Sequence, residues 1–281
     1  MKIKSHIKLK RIWNAIKPFL PWGTLPIVIF IYRKYISISC WFIGFWDQRY
    51  VKKTGFSRLP PASLRYRVSG SLDIDLFLEV GERSYQDIET ALRKIGKSLS
   101  SFQHILDFGC GCGRILIGFP KHSQTSHYYG TDIDADAISW CRENIHFANF
   151  DVNEPVPPLK YLSESFDFIY AISVFTHLNE DFQFHWLNEL KRITKPNGFL
   201  ILTINGYSVW KGLLHKDVSK IERRGFHFII DNVMKDIFPE WYQNAYHTKE
   251  YVFHNYAKHF KVVDYIPGGL CDYQDIIILQ K

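Results

Sequence analysis

The sequence predicts an α/β protein: parallel strands with helices on both faces of one sheet, behind a basic N-terminal arm. Three observations carry this. Between residues 104 and 205, short runs rich in Ile, Phe, Tyr and Leu alternate with segments whose apolar residues recur at helical spacing. Repeated strand and helix units imply parallel pairing, because each crossover must return over the sheet. A turn holding Gly109, Gly111 and Gly113 stands directly behind the first strand, where an open α/β sheet commonly forms the floor of its ligand site. With 281 residues, 46% hydrophobic and 16% aromatic, the chain can bury a full core.

Charge divides the chain into an arm, residues 1–58, and a body, residues 59–281. The arm holds twelve Lys or Arg against one acid, Asp47, so it carries +11; against +7 for the whole chain, the other 223 residues carry −4. Its first segment reads as a helix from about Ser5, with Leu9, Ile12, Trp13, Ile16 and Leu20 on one face, ended near Lys17 by Pro18. Two apolar runs follow, 25–32 and 35–46, separated by Arg33 and Lys34. Neither reaches the roughly 18 to 20 residues of a membrane-spanning helix, and the interruption argues against a secretory leader. Trp13, Trp22, Trp41 and Trp46 lie beside the basic residues, as in chains that rest in a membrane interface. Two readings stay open for residues 1–46: peripheral membrane contact, or packing on the body or on a second copy. The five cysteines form no disulfide framework or metal-ligand spacing, which favours a reducing, cytoplasmic setting.

A polar, Pro-containing stretch, 57–70, separates the arm from a helix expected over 84–96, with Ser84 as its cap and Ile88, Leu92 and Ile95 on its apolar face. Strands are expected at 104–108, 128–132, 148–153, 166–173 and 199–205, with amphipathic helices at 135–145 and 180–193 between them. The pattern loosens after Asn205. It recovers as a helix over 248–258 and two strands, 260–266 and 273–280, joined through Pro267-Gly268-Gly269.

The detail that gives the glycine turn meaning is Asp107, two residues ahead of Gly109. A diphosphate cofactor would bring negative charge onto a loop that already holds a carboxylate, and the dinucleotide fingerprint spaces its glycines as G-x-G-x-x-G. Here the spacing is G-x-G-x-G. S-adenosylmethionine has no phosphate, carries a sulfonium and an ammonium, and offers a ribose diol, so an acid beside the loop suits it. Asp132, 25 residues on at the end of the next strand, is where a carboxylate can accept both ribose hydroxyls. Asp134 competes with it for the helix cap.

In order along the chain, "ILDFGCGCGRIL", "YYGTDIDADAISWCREN", "FDFIYAISVFTHL" and "LKRITKPNGFLILT" resemble the successive cofactor motifs of the class I S-adenosylmethionine-dependent methyltransferases. "LPPASLRYRVSG" upstream and "YHTKEYV" with "YIPGGLCDYQDIIIL" near the end are similar to bacterial methyltransferases of largely unassigned substrate. The resemblance implies a Rossmann-like sheet of seven strands, order 3-2-1-4-5-7-6, the seventh antiparallel. It implies that Asp107, Gly109, Gly111 and Gly113 hold the methionine part of S-adenosylmethionine and Asp132 its ribose. Asn153 would lie near the adenine and Ser173 near the methionine or the acceptor. Cys110 and Cys112 need no metal on this reading, and none is expected. Asn205 departs from the pattern, since relatives often show "TxHG" where this chain has "TING".

Methyl transfer from a sulfonium is a displacement with a good leaving group, so the protein mainly aligns the acceptor and excludes water. A hydroxyl acceptor also needs a base, and His177, just past the fourth strand, is the first candidate, with His247 second. Each has a plainer alternative: His177 a contact at a helix start, His247 a surface cap. Arg65 and Arg67 could meet an anionic acceptor or stay solvated. The Asp/Asn-Pro-Pro-Tyr/Phe box of amino-group methyltransferases is replaced after the fourth strand by Ala171-Ile172-Ser173-Val174. These features favour O-methylation of a small-molecule, glycan or lipid-linked acceptor, by a cytoplasmic enzyme, peripheral at the inner membrane face if the arm binds there. The alternatives are a nucleic-acid methyltransferase or binding module using the basic arm, with the acidic body counting against nucleic acid, or a non-catalytic interaction protein on the same fold.

Overall fold

The computed structural model describes residues 24–54, 59–117, 126–230 and 243–281. The helix expected over 5–17 lies outside them. Among the described residues the chain forms two compact units, one ending at Glu79 and the other beginning at Val80, a division further along than the shift in charge at 58/59.

In the first unit the two apolar runs of the arm form one helix, α1 (Thr24–Thr54), that continues through Arg33 and Lys34. The stretch expected as a separating segment contains a second helix, α2 (Ala62–Ser69). Pro60 and Pro61 stand just ahead of it, and Gly70, at φ 64°, closes it by donating its N–H to Tyr66 O at 2.7 Å. Arg65, expected either to be solvated or to meet an anionic acceptor, does neither. It is 0% exposed and grips the Asp47 carboxylate with both terminal nitrogens, at 2.9 and 3.0 Å, while donating to Pro60 O at 2.6 Å. The arm's sole acid is therefore consumed in a buried bidentate pair that ties α1 to α2.

The helix α3 (Ile74–Lys94) begins ten residues before the start expected at Ser84. Its cap is Asp73, whose Oδ1 accepts the N–H of Leu76 at 3.1 Å. Ser84 is buried in the helix interior, where its hydroxyl donates back to Val80 O.

The second unit alternates strands and helices: β1 (His104–Phe108), α4 (Arg114–Ile117), β2 (His127–Asp132), α5 (Ala135–Asn144), β3 (Ala148–Val152), β4 (Phe166–Ala171), α6 (Glu180–Ile193) and β5 (Thr194–Ile204). The region where the pattern loosens holds α7 (Tyr207–Trp210), α8 (His215–Arg224) and an antiparallel pair, β6 (Phe226–Ile229) with β7 (Asn244–His247). Then come α9 (Lys249–Asn255), β8 (Lys261–Leu270) and β9 (Gln274–Gln280). The main sheet has seven strands in the order β3-β2-β1-β4-β5-β9-β8. The first five are parallel, and β9 runs antiparallel to both β5 and β8. This is the order and the antiparallel last strand expected above.

Alternation along the central strands loads both sheet faces. Leu106, Ile169 and Ala171 join Trp186, Leu187 and Leu190 of α6 and Val252 of α9 on one face. Ile105, Phe168 and Tyr170 join Leu92 of α3 and Ile138 and Cys141 of α5 on the other. Strands buried on both sides are what a parallel sheet requires. β5 begins five residues before the expected start, Thr194 pairing with Phe166 ahead of a register shift.

Candidate functional site

The carboxyl ends of β1, β2, β3 and β4 lie side by side in the sheet, and every residue expected to hold a cofactor stands there or in the turn that follows. Gly109, Gly111 and Gly113 all have positive φ, 79°, 52° and 71°, a conformation that costs other residues energy. Gly109 has a second reason to lack a side chain, since a Cβ there would run into Val174 Cγ2 of the loop after β4. The turn is tied to β2: Gly109 and Cys110 donate their N–H groups to Thr131 O at 2.8 and 3.1 Å, and Gly111 donates to Asp132 Oδ2 at 2.7 Å. The thiols of Cys110 and Cys141 both approach Gly111 O at 3.6 Å, so these cysteines serve the turn's backbone.

The two acids differ in environment. Asp107 is buried, and burial pushes its carboxyl up to about 8, helped by Asp132 and opposed by the Tyr170 hydroxyl and Arg114. Asp132 is partly exposed at the end of β2. Burial also raises its carboxyl, while the N–H groups of Asp134 and Gly111 favour its charged form. The competition for the cap resolves by geometry: Asp134 Oδ1 accepts from Ala137 N and caps α5, and Asp132 Oδ1 accepts from Asp134 N at 2.9 Å.

Asn153 closes β3 with its Oδ1 accepting from Thr131 Oγ1 at 2.8 Å and its N–H donating to Asp132 O. Ser173, past the end of β4, has φ 61°. A non-glycine residue there costs about 1–3 kcal/mol and persists where its surroundings hold it. Thr203 Oγ1 accepts the Ser173 N–H at 2.7 Å, Ser173 Oγ donates to Gln274 Oε1 at 3.1 Å, and Ser173 O accepts from Thr176. Thr203 and Gln274 were not legible as parts of this corner. They become so only when β9 is known to lie beside β5, with Thr203 opposite Ile276.

The candidate bases separate. His177 is partly exposed in the loop after β4, four residues past Ser173, and its Nδ1 lies 2.6 Å from Gln243 O. A carbonyl accepts only, so Nδ1 carries a proton, and in the neutral form of the ring the lone pair lies on Nε2. His247, expected as a surface cap or second base, is instead wholly buried on β7. Its ring packs against Phe226 and Tyr251, and its Nε2 donates to Gln183 Oε1 at 2.9 Å. Burial lowers it to about 3. It is a neutral core histidine, and an acceptor meets none of its surface. Asn205, at the departure noted above, donates to Ala245 O at 3.0 Å and holds β7 to the end of β5. A cavity of about 560 Å³ opens elsewhere, along the outer edge of β3 between Arg142, Tyr161 and Lys160. It includes none of the residues at the glycine turn.

Known proteins match the same region. Residues 106–200 match the family model described as a methyltransferase domain. A solved 1,6-didemethyltoxoflavin-N1-methyltransferase of Burkholderia thailandensis, with bound 1,6-didemethyltoxoflavin and S-adenosylhomocysteine, superposes with a TM-score of 0.51, covering 78% of this chain and 88% of that one at 14% identity. The PH0226 protein of Pyrococcus horikoshii does so with a TM-score of 0.50, covering 76% of this chain and 97% of that one at 17% identity. The chain has the class I S-adenosylmethionine-dependent methyltransferase fold. By sequence it is 26% identical over 136 residues to a probable methyltransferase, ltbC, of Aspergillus luteorubrus, a match over 42% of this chain and 48% of that relative. The chain thus spans about half the length of that curated relative.

Proposed function

We propose that the protein is an S-adenosylmethionine-dependent methyltransferase acting on a hydroxyl of a small-molecule, glycan or lipid-linked acceptor. The observation that carries the reading is the pair of carboxyls, Asp107 and Asp132, at a turn of three positive-φ glycines. A sulfonium and an ammonium favour the ionised form of these acids, which a diphosphate would oppose, and the bare turn leaves room for the cofactor's approach. Asp107, Gly109, Gly111 and Gly113 would hold the methionine part, Asp132 the ribose, Asn153 the adenine edge, and Ser173 the methionine or the acceptor. The cofactor supplies an electrophilic methyl on a sulfonium. The chain's own part is to align the acceptor, exclude water and take one proton. His177 Nε2 suits the last task, because the Gln243 carbonyl fixes the tautomer that leaves its lone pair there. Five free thiols fit a reducing compartment, and a cytoplasmic location is part of the proposal.

The test is incubation of the purified chain with methyl-labelled S-adenosylmethionine and fractionated cell extract. Label enters a small-molecule, glycan or lipid pool and is lost in Asp132→Ala. His177→Gln lowers kcat by about 10²- to 10⁴-fold with little change in KM. The +11 charge of residues 1–58 favours a second reading, a nucleic-acid methyltransferase. Label in RNA or DNA would establish that reading and exclude the first, and no transfer to any pool with cofactor bound would leave a binding protein.

A further inference from the structure

α1 carries an exposed apolar face. Ile27, Ile31, Ile38, Trp41, Phe42 and Trp46 are all exposed, Trp41 by 74%. Their spacing, 27, 31, 38, 41/42 and 46, is that of a single helical face, and Phe30 and Tyr35 fall in the same stripe, also exposed. The opposite side of the helix carries Asp47, buried in its pair with Arg65. Aromatic and branched apolar side chains thus run along one side for nearly 20 residues, about 29 Å of helix at 1.5 Å per residue. An exposed apolar patch of this extent marks an interaction surface.

The charge of the arm selects the occupant. Residues 1–58 carry twelve basic side chains, and their one acid is already spent on Arg65. A second copy laid on this face would bring two such arms together, like charge against like. Residues 1–23, folded back on it, would bring six of those twelve basic residues onto it and no acid. An anionic lipid surface neutralises that charge while its acyl boundary takes the apolar stripe. Among the described residues no helix is long and apolar enough to cross a membrane, so the fit is a helix lying in the interface plane. Trp and Tyr are favoured at that depth. Lys34, within the stripe and 5.6 Å from the Phe30 ring centroid, can bury its stem and raise its ammonium to the headgroups.

We propose that α1 is a membrane-interface helix that binds anionic bilayers through the face carrying Ile38, Trp41, Phe42 and Trp46. This goes beyond the catalytic reading and does not depend on it. The experiment is co-flotation of the full chain with phosphatidylcholine vesicles, with and without phosphatidylglycerol, for the parent, Trp41→Asp/Phe42→Asp and Lys34→Glu. Both aromatic positions are exposed, so the double variant spares the core, and unchanged circular dichroism checks this. The parent floats with anionic vesicles and far less with phosphatidylcholine alone. The double variant loses about tenfold or more in partitioning, and Lys34→Glu weakens binding to anionic vesicles only. The proposal is overturned if the parent stays with the soluble fraction, or if the double variant floats as well as the parent. It is also overturned if sedimentation equilibrium shows a dimer that the double variant dissolves while vesicles bind nothing, which would give the face to a second copy.

Discussion

Asp107 and Asp132 were legible as a pair from their spacing around the glycine turn. Their difference in environment was not, because burial is a property of the assembled sheet. Asp107 has its folded-state value raised from the ordinary carboxyl range to about 8. A raised value means the native state keeps a proton that the unfolded chain has released. The stability this contributes is fully present below the unfolded value of about 4 and is lost as pH rises through about 8. Asp132, also raised, acts in the same direction. Asp107→Asn keeps a neutral group at every pH, so the urea midpoint of the ligand-free variant falls less between about pH 4 and 8 than that of the parent. An unchanged slope would place the proton elsewhere. His247 shows the opposite failure of sequence reading: a histidine before a helix looks like a cap, but β6 and β7 fold it under α9. Its partners Gln183 and Phe226 are distant in the chain.

At the scale of elements, β1 to β4, α5 and α6 followed closely from periodicity, since each buries faces that the pattern marks. The glycine turn is the element with least tolerance. Gly109→Ala puts a Cβ against Val174 at a φ that disfavours it, at a cost of roughly 1–3 kcal/mol, and weakens cofactor binding because the loop after β4 must move. Urea unfolding together with titration of S-adenosylhomocysteine checks both effects, and a variant of parental stability and affinity would show the turn to be adaptable. Periodicity failed where local signals competed. Asp73 took the cap that Ser84 offered, and the interval after Asn205 held short elements whose few apolar residues make no long pattern.

For the molecule as a whole, composition separated a basic arm from an acidic body, but the compact units divide at 79/80. What crosses the composition boundary is Arg65, whose pairing with Asp47 was not readable from two residues 18 apart in an unremarkable context. Removing one member of a buried pair costs about 3–5 kcal/mol, whereas replacing both with apolar groups is far milder. Arg65→Met is therefore expected to speed amide exchange in the part of α1 around Asp47 by about 100-fold or more. Adding Asp47→Leu restores most of the protection. Equal exchange in the parent and the single variant would mean that α1 is held by its apolar contacts alone.

On the proposed function, Asp132 holds S-adenosylmethionine at the strand ends. The direct test is calorimetric titration of S-adenosylhomocysteine into the parent and into Asp132→Ala. Loss of charge-assisted hydrogen bonds to a ribose diol predicts binding weaker by about 10- to 100-fold in the variant, with the fold intact by circular dichroism. Equal affinity in the two proteins would remove Asp132 from the cofactor site, and none in the parent would remove the cofactor itself.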